Sequence, residues 1–154
     1  MTAKHSAGLL LFRHTDDGLE VLLGHMGGPY FAKKDAGAWT VPKGEYDPDE
    51  PAWDAARREF REELGLPPPD GEAVPLGLVR QTGGKTVTAW AVEADLDPAT
   101  VVPGTFVMEW PPRSGRTAEF PELDRVAWLG LARAREVIVT AQTAFLDRLA
   151  EHSG

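Results

Sequence analysis

Residues 44–66, GEYDPDEPAWDAARREFREELGL, carry the pattern on which the interpretation of the whole chain rests. From residue 50 to residue 64 the pattern is helical, with Asp49 as the predicted N-cap and Gly65 directly after the helix. The prolines at 67–69 prevent the helix from continuing. The stretch therefore predicts one amphipathic helix, entered from a turn-rich loop.

The charged face of this helix predicts a metal site. At 100° per residue, Glu59, Glu62 and Glu63 share a face about 100° wide. The stripe beside them is predicted to be buried and consists of Trp53, Phe60 and Leu64. Crowded carboxylates at the edge of a core raise each other's pKa and cost stability. Divalent cations that prefer oxygen ligands would offset that cost.

Composition and charge exclude several classes of function. The net charge is −8, and residues 44–66 hold eight acidic and three basic residues, so this surface repels nucleic-acid phosphates and double-stranded nucleic acid is not expected as a partner. The sequence has no cysteine, which excludes disulfides, thiolate metal sites and a cysteine nucleophile. No apolar run approaches the roughly 18 residues of a membrane span. We expect a cytoplasmic protein with a single domain over residues 1–154.

The segments outside the helix predict a mixed sheet. Residues 6–13 and 19–25 flank an Asp-Asp-Gly turn and predict a hairpin. Residues 39–41 predict a short strand that Pro42 ends. Further strands are predicted at 74–80, 85–94, 105–110 and 125–129. The remaining segments are predicted to be a long loop at 111–124 and, at 131–152, two short helices or one bent helix with a buried stripe of Val137, Ile138, Phe145, Leu146 and Leu149. This order predicts an α/β sandwich.

The spacing of the first stretch resembles a known signature. Its fixed positions, Gly44, Glu50, Arg58-Glu59, Glu62-Glu63 and Gly65, together with both apolar positions, match the Nudix box. The chain therefore resembles the Nudix hydrolases. The resemblance implies an α/β/α sandwich with a mixed sheet and the Mg²⁺- or Mn²⁺-dependent hydrolysis of a nucleoside diphosphate linked to another group.

The same resemblance implies roles for individual residues. Glu59, Glu62, Glu63 and the carbonyl of Gly44 would be the metal ligands. The three glutamates and Arg58 would be the catalytic residues, and Arg58 with Glu50 would brace the loop and helix. Some members of the family take a general base from a late loop, which makes Glu119 and Glu122 candidates for that role.

The segment before the box narrows the substrate class. Residues 39–44, WTVPKG, resemble the branch that cleaves dinucleoside polyphosphates. Lys43 would then contact a phosphate, and Arg80 and Lys85 would contact more distant phosphates. Four aromatic residues are candidates for stacking on a base: Trp39, Tyr30, Phe31 and Trp90. Of these, Trp90 is expected to have a structural role in the core. Lys33 and Lys34 add further cations on the loop at 26–38.

Other functions stay open at this point. No tyrosine follows the box, although many dinucleoside polyphosphate hydrolases have one there. Hydrolysis of ADP-ribose, nucleoside triphosphates or nucleotide sugars is therefore an alternative. A further alternative is a Nudix-fold module that binds a nucleotide without turnover. The expected partner is a small-molecule nucleotide, and whether the chain forms a homodimer is open.

Overall fold

The computed structural model describes residues 4–153 and is built on a mixed sheet. Its strands are β1 (His5–Thr15), β2 (Gly18–Met26), β3 (Trp39–Thr40), β4 (Lys43–Glu45), β5 (Ala73–Arg80), β6 (Thr86–Glu93), β7 (Thr105–Glu109), β8 (Thr117–Pro121) and β9 (Leu123–Gly130). Within the described residues, seven strands form one sheet in the order β3-β2-β1-β6-β5, with β4 paired to β1 and β9 paired to β2. β1 and β6 are parallel, whereas the other pairs of this sheet are antiparallel.

Three α-helices in residues 4–153 cover the two faces of this sheet. They are α1 (Ala52–Leu64), α2 (Leu131–Val137) and α3 (Thr143–Ser153). Side chains alternate along β1, so Leu9 and Leu11 pack with Phe60 of α1 on one face. Leu10 of the same strand packs with Phe145 of α3 on the other face. The arrangement confirms the predicted α/β/α sandwich with a mixed sheet.

The elements near the chain ends agree with the sequence. β1 and β2 form the predicted hairpin, with Thr15 paired to Gly18 across the turn. The tail forms two helices, and its predicted apolar stripe is buried throughout: Val137, Ile138, Phe145, Leu146 and Leu149. Among the described helices, none is both long and apolar enough to cross a membrane.

The start of α1 differs from the prediction. The helix begins at Ala52, Pro51 occupies the N-cap position, and no side chain caps it, so the predicted Asp49 cap is wrong. A residue before proline disfavours the helical conformation, which keeps Glu50 outside the helix. At the other end, the N–H of Gly65 donates to Arg61 O at 2.8 Å in the left-handed conformation typical of a C-cap.

Two strands were missed. The predicted loop at 111–124 contains β8, which pairs antiparallel with β7 and forms a separate two-stranded sheet. β9 then begins at Leu123, two residues before the predicted start. Beyond Pro42 the chain also forms β4. Pro42 lacks an N–H, but its carbonyl accepts a hydrogen bond from Leu9 N at 3.2 Å, which keeps the chain beside β1. β4 brings Gly44 beside α1.

Candidate functional site

Helix α1 lies close to the sheet because small side chains separate them. Ala55 and Ala56 are fully buried against Ala7 of β1. On the helical wheel these two alanines share the face of the three glutamates, so that face lies over the sheet rather than merely beside the core. The acidic side chains that follow on α1 consequently meet the edge strand β4.

Gly44 is the point of closest approach between β4 and α1. A Cβ atom added at Gly44 would lie 1.9 Å from Oε2 of Glu59. Any side chain at this position would displace the carboxylate. The glycine therefore lets the backbone of β4 and the Glu59 carboxylate occupy adjacent space, as a shared ligand shell requires.

Arg58 connects the loop to the glutamates of α1. Its Nε and Nη2 donate to both carboxylate oxygens of Glu50, at 2.9 and 2.8 Å. Its Nη1 donates to Glu59 at 2.8 Å and to both oxygens of Glu62 at 3.2 Å. One guanidinium thus fixes three carboxylates, and their hydrogen bonds raise the pKa of Arg58 further above its ordinary value.

Burial changes the acidity of the glutamates that face β4. The side chain of Glu59 is 12% exposed, and burial raises its pKa above the ordinary value although Arg58 opposes the shift. Burial raises the pKa of Glu63 to about 8, with Lys43 opposing and the neighbouring carboxylates adding to the shift. Glu62 is more open, at 56% exposure. We call these three side chains the helix wall.

A second wall faces them across a cavity of about 470 Å³. It consists of Gly104 and Thr105, where the β7–β8 hairpin begins, and Glu122, directly after the hairpin ends. Because Thr105 pairs with Pro121, these residues lie side by side, and we call them the hairpin wall. Glu122 is held through its backbone, since its N–H donates to Gly104 O at 2.7 Å and its carbonyl accepts from Gly27 N at 3.0 Å. Partial burial raises the pKa of the Glu122 carboxyl.

Of the two late-loop candidates, the structure brings only Glu122 to this cavity. Glu119 is exposed and pairs with Val107 in the middle of the hairpin, and it does not line the cavity. Ser6, Gly104 and Thr105 also line the cavity but were not among the residues predicted from the sequence. A single serine in a strand or a glycine in a loop gave no pattern by which to find them.

The predicted phosphate contacts separate into two groups. Lys43 lines the cavity, and burial lowers its pKa, with Glu63 opposing this shift and the charge of Lys85 adding to it. Lys85 itself does not line the cavity. Arg80 pairs with Thr86, the residue after Lys85, so strand alternation directs Arg80 to the opposite face of the sheet. The structure does not bring Arg80 to the cavity.

Trp39 belongs to the core rather than to an open platform. Its side chain lies in the core cluster, and the whole residue is 6% exposed. The ring packs edge-on against His25, its Nε1 donates to Asp35 at 2.8 Å, and Arg125 stacks over it. No open face of the ring remains for a base, which corrects its predicted substrate contact.

The other aromatic candidates also have partners. Trp90 packs against Trp53 of α1, as expected for a structural residue. Phe31 packs against the core cluster with Lys34 over its ring. Tyr30 is 57% exposed and packs edge-on against Trp110 beside the hairpin. Of the four, Tyr30 alone offers a largely open ring among the described residues.

The donor set of the cavity fits a divalent cation. In residues 4–153 the His, Asp and Glu side chains do not already converge as a metal-ligand cluster. The available donors are nevertheless carboxylate oxygens from both walls and the backbone of β4. Because Gly44 has no Cβ atom, that backbone lies directly against the Glu59 carboxylate. Such oxygen donors are the ligands that Mg²⁺ and Mn²⁺ prefer.

Comparison with solved structures supports the fold. A C. elegans Ap4A hydrolase in a binary complex superposes with a TM-score of 0.69 at 22% identity, with 97% of each chain covered. The NUDIX domain of Shewanella oneidensis NrtR, complexed with ADP ribose, gives 0.65 at 15% identity over 100% of this chain and 90% of that one. RenU, a Nudix hydrolase from M. smegmatis, gives 0.63 at 24% identity over 99% and 88%.

Comparison of sequences identifies the family. No curated protein matches the chain by sequence. Residues 4–149 match the model of the family described as NUDIX domain. This span contains both walls of the cavity, β4 and the whole of α1. Nudix hydrolases generally use divalent metal ions, in agreement with the donor set of the cavity. The chain therefore belongs to the Nudix family and is a Nudix hydrolase.

Proposed function

We propose that this Nudix hydrolase cleaves a phosphoanhydride bond in a nucleotide with a long phosphate chain, such as a dinucleoside polyphosphate. The observation that carries the proposal is the cationic side of the cavity. Lys43 lines the cavity together with Glu63, and the charge of Lys85 acts on Lys43 although Lys85 itself lies outside the cavity lining. A short diphosphate would need only the groups around the cleaved bond, whereas a longer chain carries extra charges that these lysines would contact.

The acidic residues would supply the metal site. Glu59, Glu62 and Glu63 and the carbonyl of Gly44 are the proposed ligands of Mg²⁺ or Mn²⁺. A divalent ion bound there would neutralise phosphate charge and lower the pKa of a water molecule. Arg58 would hold Glu59 and Glu62 in position through the hydrogen bonds described above.

Glu122 is the proposed additional acid of the site. Its carboxyl faces the cavity from the hairpin wall, separate from the helix, and its backbone is fixed by two hydrogen bonds. A carboxylate on a separate element can accept a proton from the attacking water while the glutamates of the helix wall hold the metal ion. We therefore prefer Glu122 to Glu119 as a general-base candidate, with the glutamates of α1 as the alternative.

A comparison of two substrates tests the substrate class. We expect kcat/KM at a single Mg²⁺ concentration to be higher for diadenosine tetraphosphate than for ADP-ribose. Lys43→Ala should narrow the difference, because it removes a contact that only the longer chain uses fully. Lys33→Ala is the matched control, since this exposed lysine does not line the cavity. Equal values, or a preference for ADP-ribose, would contradict the long-chain proposal.

Two alternatives have distinct outcomes in the same experiment. Turnover of ADP-ribose, nucleoside triphosphates or nucleotide sugars alone would assign a different substrate to the same site. Binding of all these nucleotides without turnover would favour a regulatory module. A cytoplasmic location and assembly as a homodimer stay predictions from the sequence.

A further inference from the structure

Ser6 occupies an unusual place for a serine in the sheet. It lies on β1 directly opposite Glu45 of β4, and it lines the carboxylate cavity together with Lys43. Residues paired across two strands face the same side, and so does the residue two positions along. Ser6, Lys43 and Glu45 therefore share one face at this edge of the sheet. The residue is only 9% exposed.

The hydroxyl of Ser6 has no partner within the protein. The other buried polar side chains of the described chain, His25, Thr40, Thr86 and Gln142, all form hydrogen bonds. The Ser6 hydroxyl forms no hydrogen bond with any residue in 4–153. Every fully enclosed polar side-chain atom in this part of the chain does have a partner, so the Ser6 hydroxyl is not fully enclosed. The hydroxyl therefore keeps some access to solvent, and Ser6 is one of the residues that line the cavity.

The cavity has chemically different sides. Carboxylates from α1 and Glu122 supply acceptors, and Lys43 and Ser6 supply an ammonium and a hydroxyl that can donate. Acceptors suit the metal ion, and donors suit the non-bridging oxygens of a phosphate. A buried polar group without a protein partner costs stability, and a ligand that accepts its hydrogen bond removes that cost.

We propose that Ser6 binds phosphate: its hydroxyl donates a hydrogen bond to a non-bridging oxygen of the phosphate chain beside Lys43. The proposal deepens the proposed function and rests on it, because it assumes that the cavity holds a phosphoanhydride. Ser6 and Lys43 then supply two donors from the same face of the sheet. Ser6 thereby contributes to selection for chain length.

Binding of an inert phosphate chain tests the role of Ser6 without turnover. The probe is bis(methylene)triphosphonate, in which CH₂ replaces both bridging oxygens, with Mg²⁺ present and Kd measured by calorimetry. We expect Ser6→Ala to weaken binding by about tenfold, as for a hydrogen bond to a charged group. Thr88→Val is the control, since Thr88 is half-buried on the neighbouring strand and does not line the cavity.

Thermal unfolding separates binding from a structural role. Because the hydroxyl has no partner, Ser6→Ala should leave the Tm of the free protein unchanged or raise it. In steady-state assays, the variant should raise KM more for diadenosine tetraphosphate than for ADP-ribose. An unchanged Kd for the probe, or a lower Tm with no change in KM, would overturn the proposal.

The outcome for Ser6 is distinguishable from the outcome for the proposed function. Weaker binding of the probe by Ser6→Ala, in an enzyme that prefers ADP-ribose, would retain Ser6 as a phosphate-binding residue and reject the long-chain substrate. A preference for the tetraphosphate with an unchanged Kd in Ser6→Ala would retain the substrate and reject Ser6.

Discussion

The helix wall and the hairpin wall enclose the same cavity but are held by different interactions. Two glutamates of the helix wall, Glu59 and Glu62, are fixed by the side chain of Arg58, which also binds Glu50 in the preceding loop. Glu122 of the hairpin wall is fixed by backbone hydrogen bonds to Gly27 and Gly104. Charge therefore organises one wall and close backbone contact organises the other. The helix wall should be most sensitive to changes of charge, and the hairpin wall to side chains added at its glycines.

The largest expected effect comes from removing a carboxylate charge. Glu62→Gln and Glu63→Gln keep the size of the side chain, and each should lower kcat by about 100-fold or more, because an interaction made in the transition state is lost. If Glu122 is the general base, Glu122→Gln should lower kcat by about 100-fold, the lower end of what a general base contributes. Glu151→Gln, on the exposed end of α3, is the control. Near-normal turnover by both helix variants would show that this cavity is not the catalytic centre.

Metal binding should stabilise the folded protein through the helix wall. At a metal concentration of 100 times Kd, the free energy of unfolding should rise by about 2.7 kcal/mol, because the ion binds the folded state. Thermal unfolding with Mg²⁺, with Mn²⁺ and with a chelator measures this. Glu63→Gln should reduce the shift more than Glu151→Gln does. An identical Tm with and without millimolar metal would contradict the metal site.

The hairpin wall should be sensitive to glycine substitutions. A Cβ at Gly27 would lie 1.9 Å from Pro121 O, and a Cβ at Gly104 would lie 2.6 Å from Glu62 O. Both are backbone atoms that cannot rotate away, so Gly27→Ala and Gly104→Ala should each cost roughly 1–3 kcal/mol of stability. They should also lower kcat by displacing Glu122.

Gly130→Ala provides the control for this test, because a Cβ there meets nothing within 4 Å. Gly130 precedes α2 with φ −64°, a conformation that alanine adopts readily. Urea unfolding measures stability for all three variants. If Gly27→Ala is no more destabilising than Gly130→Ala, close backbone contact does not hold the hairpin wall.

The two walls also differ in how far the sequence predicted them. Helical periodicity placed Glu59, Glu62 and Glu63 on one face, and two β-prone runs around an Asp-Asp-Gly turn predicted the hairpin of β1 and β2. The hairpin wall depends on contacts between residues distant in the chain, such as Gly27 with Glu122. No local pattern encodes such contacts, and β8 is only five residues long. The 111–124 segment was therefore predicted as a loop.

Local chemistry misled the prediction at two other places. Asp49 suits an N-cap, but Pro51 shifts the start of α1 and leaves Glu50 free to bind Arg58. Trp39 resembles a stacking platform in the sequence, whereas its burial depends on His25, Asp35 and Arg125 in three-dimensional contact. Composition indicates which chemistry a residue offers, while tertiary packing decides whether a ligand can reach it.

The smallest expected effect concerns the geometry of the helix wall rather than its charge. Arg58→Lys retains the positive charge but loses the planar group that reaches Glu50, Glu59 and Glu62 together. Because the Arg58 side chain is 39% exposed, we expect a cost of only about 1 kcal/mol in stability. We also expect a decrease in kcat of several-fold, because Glu59 and Glu62 lose their positions. Arg61→Lys, on the exposed side of the same helix, should change neither.

Combining this substitution with Gly27→Ala tests whether the walls are independent. They share no hydrogen bond, since Arg58 binds carboxylates and the Gly27 N–H binds the Glu122 carbonyl. Their costs in unfolding free energy should therefore add to within about 0.5 kcal/mol in the double variant. The losses in kcat should multiply for the same reason. A double variant no worse than Gly27→Ala alone would mean that Arg58 acts through the hairpin wall, and that charge and backbone contact form one connected support.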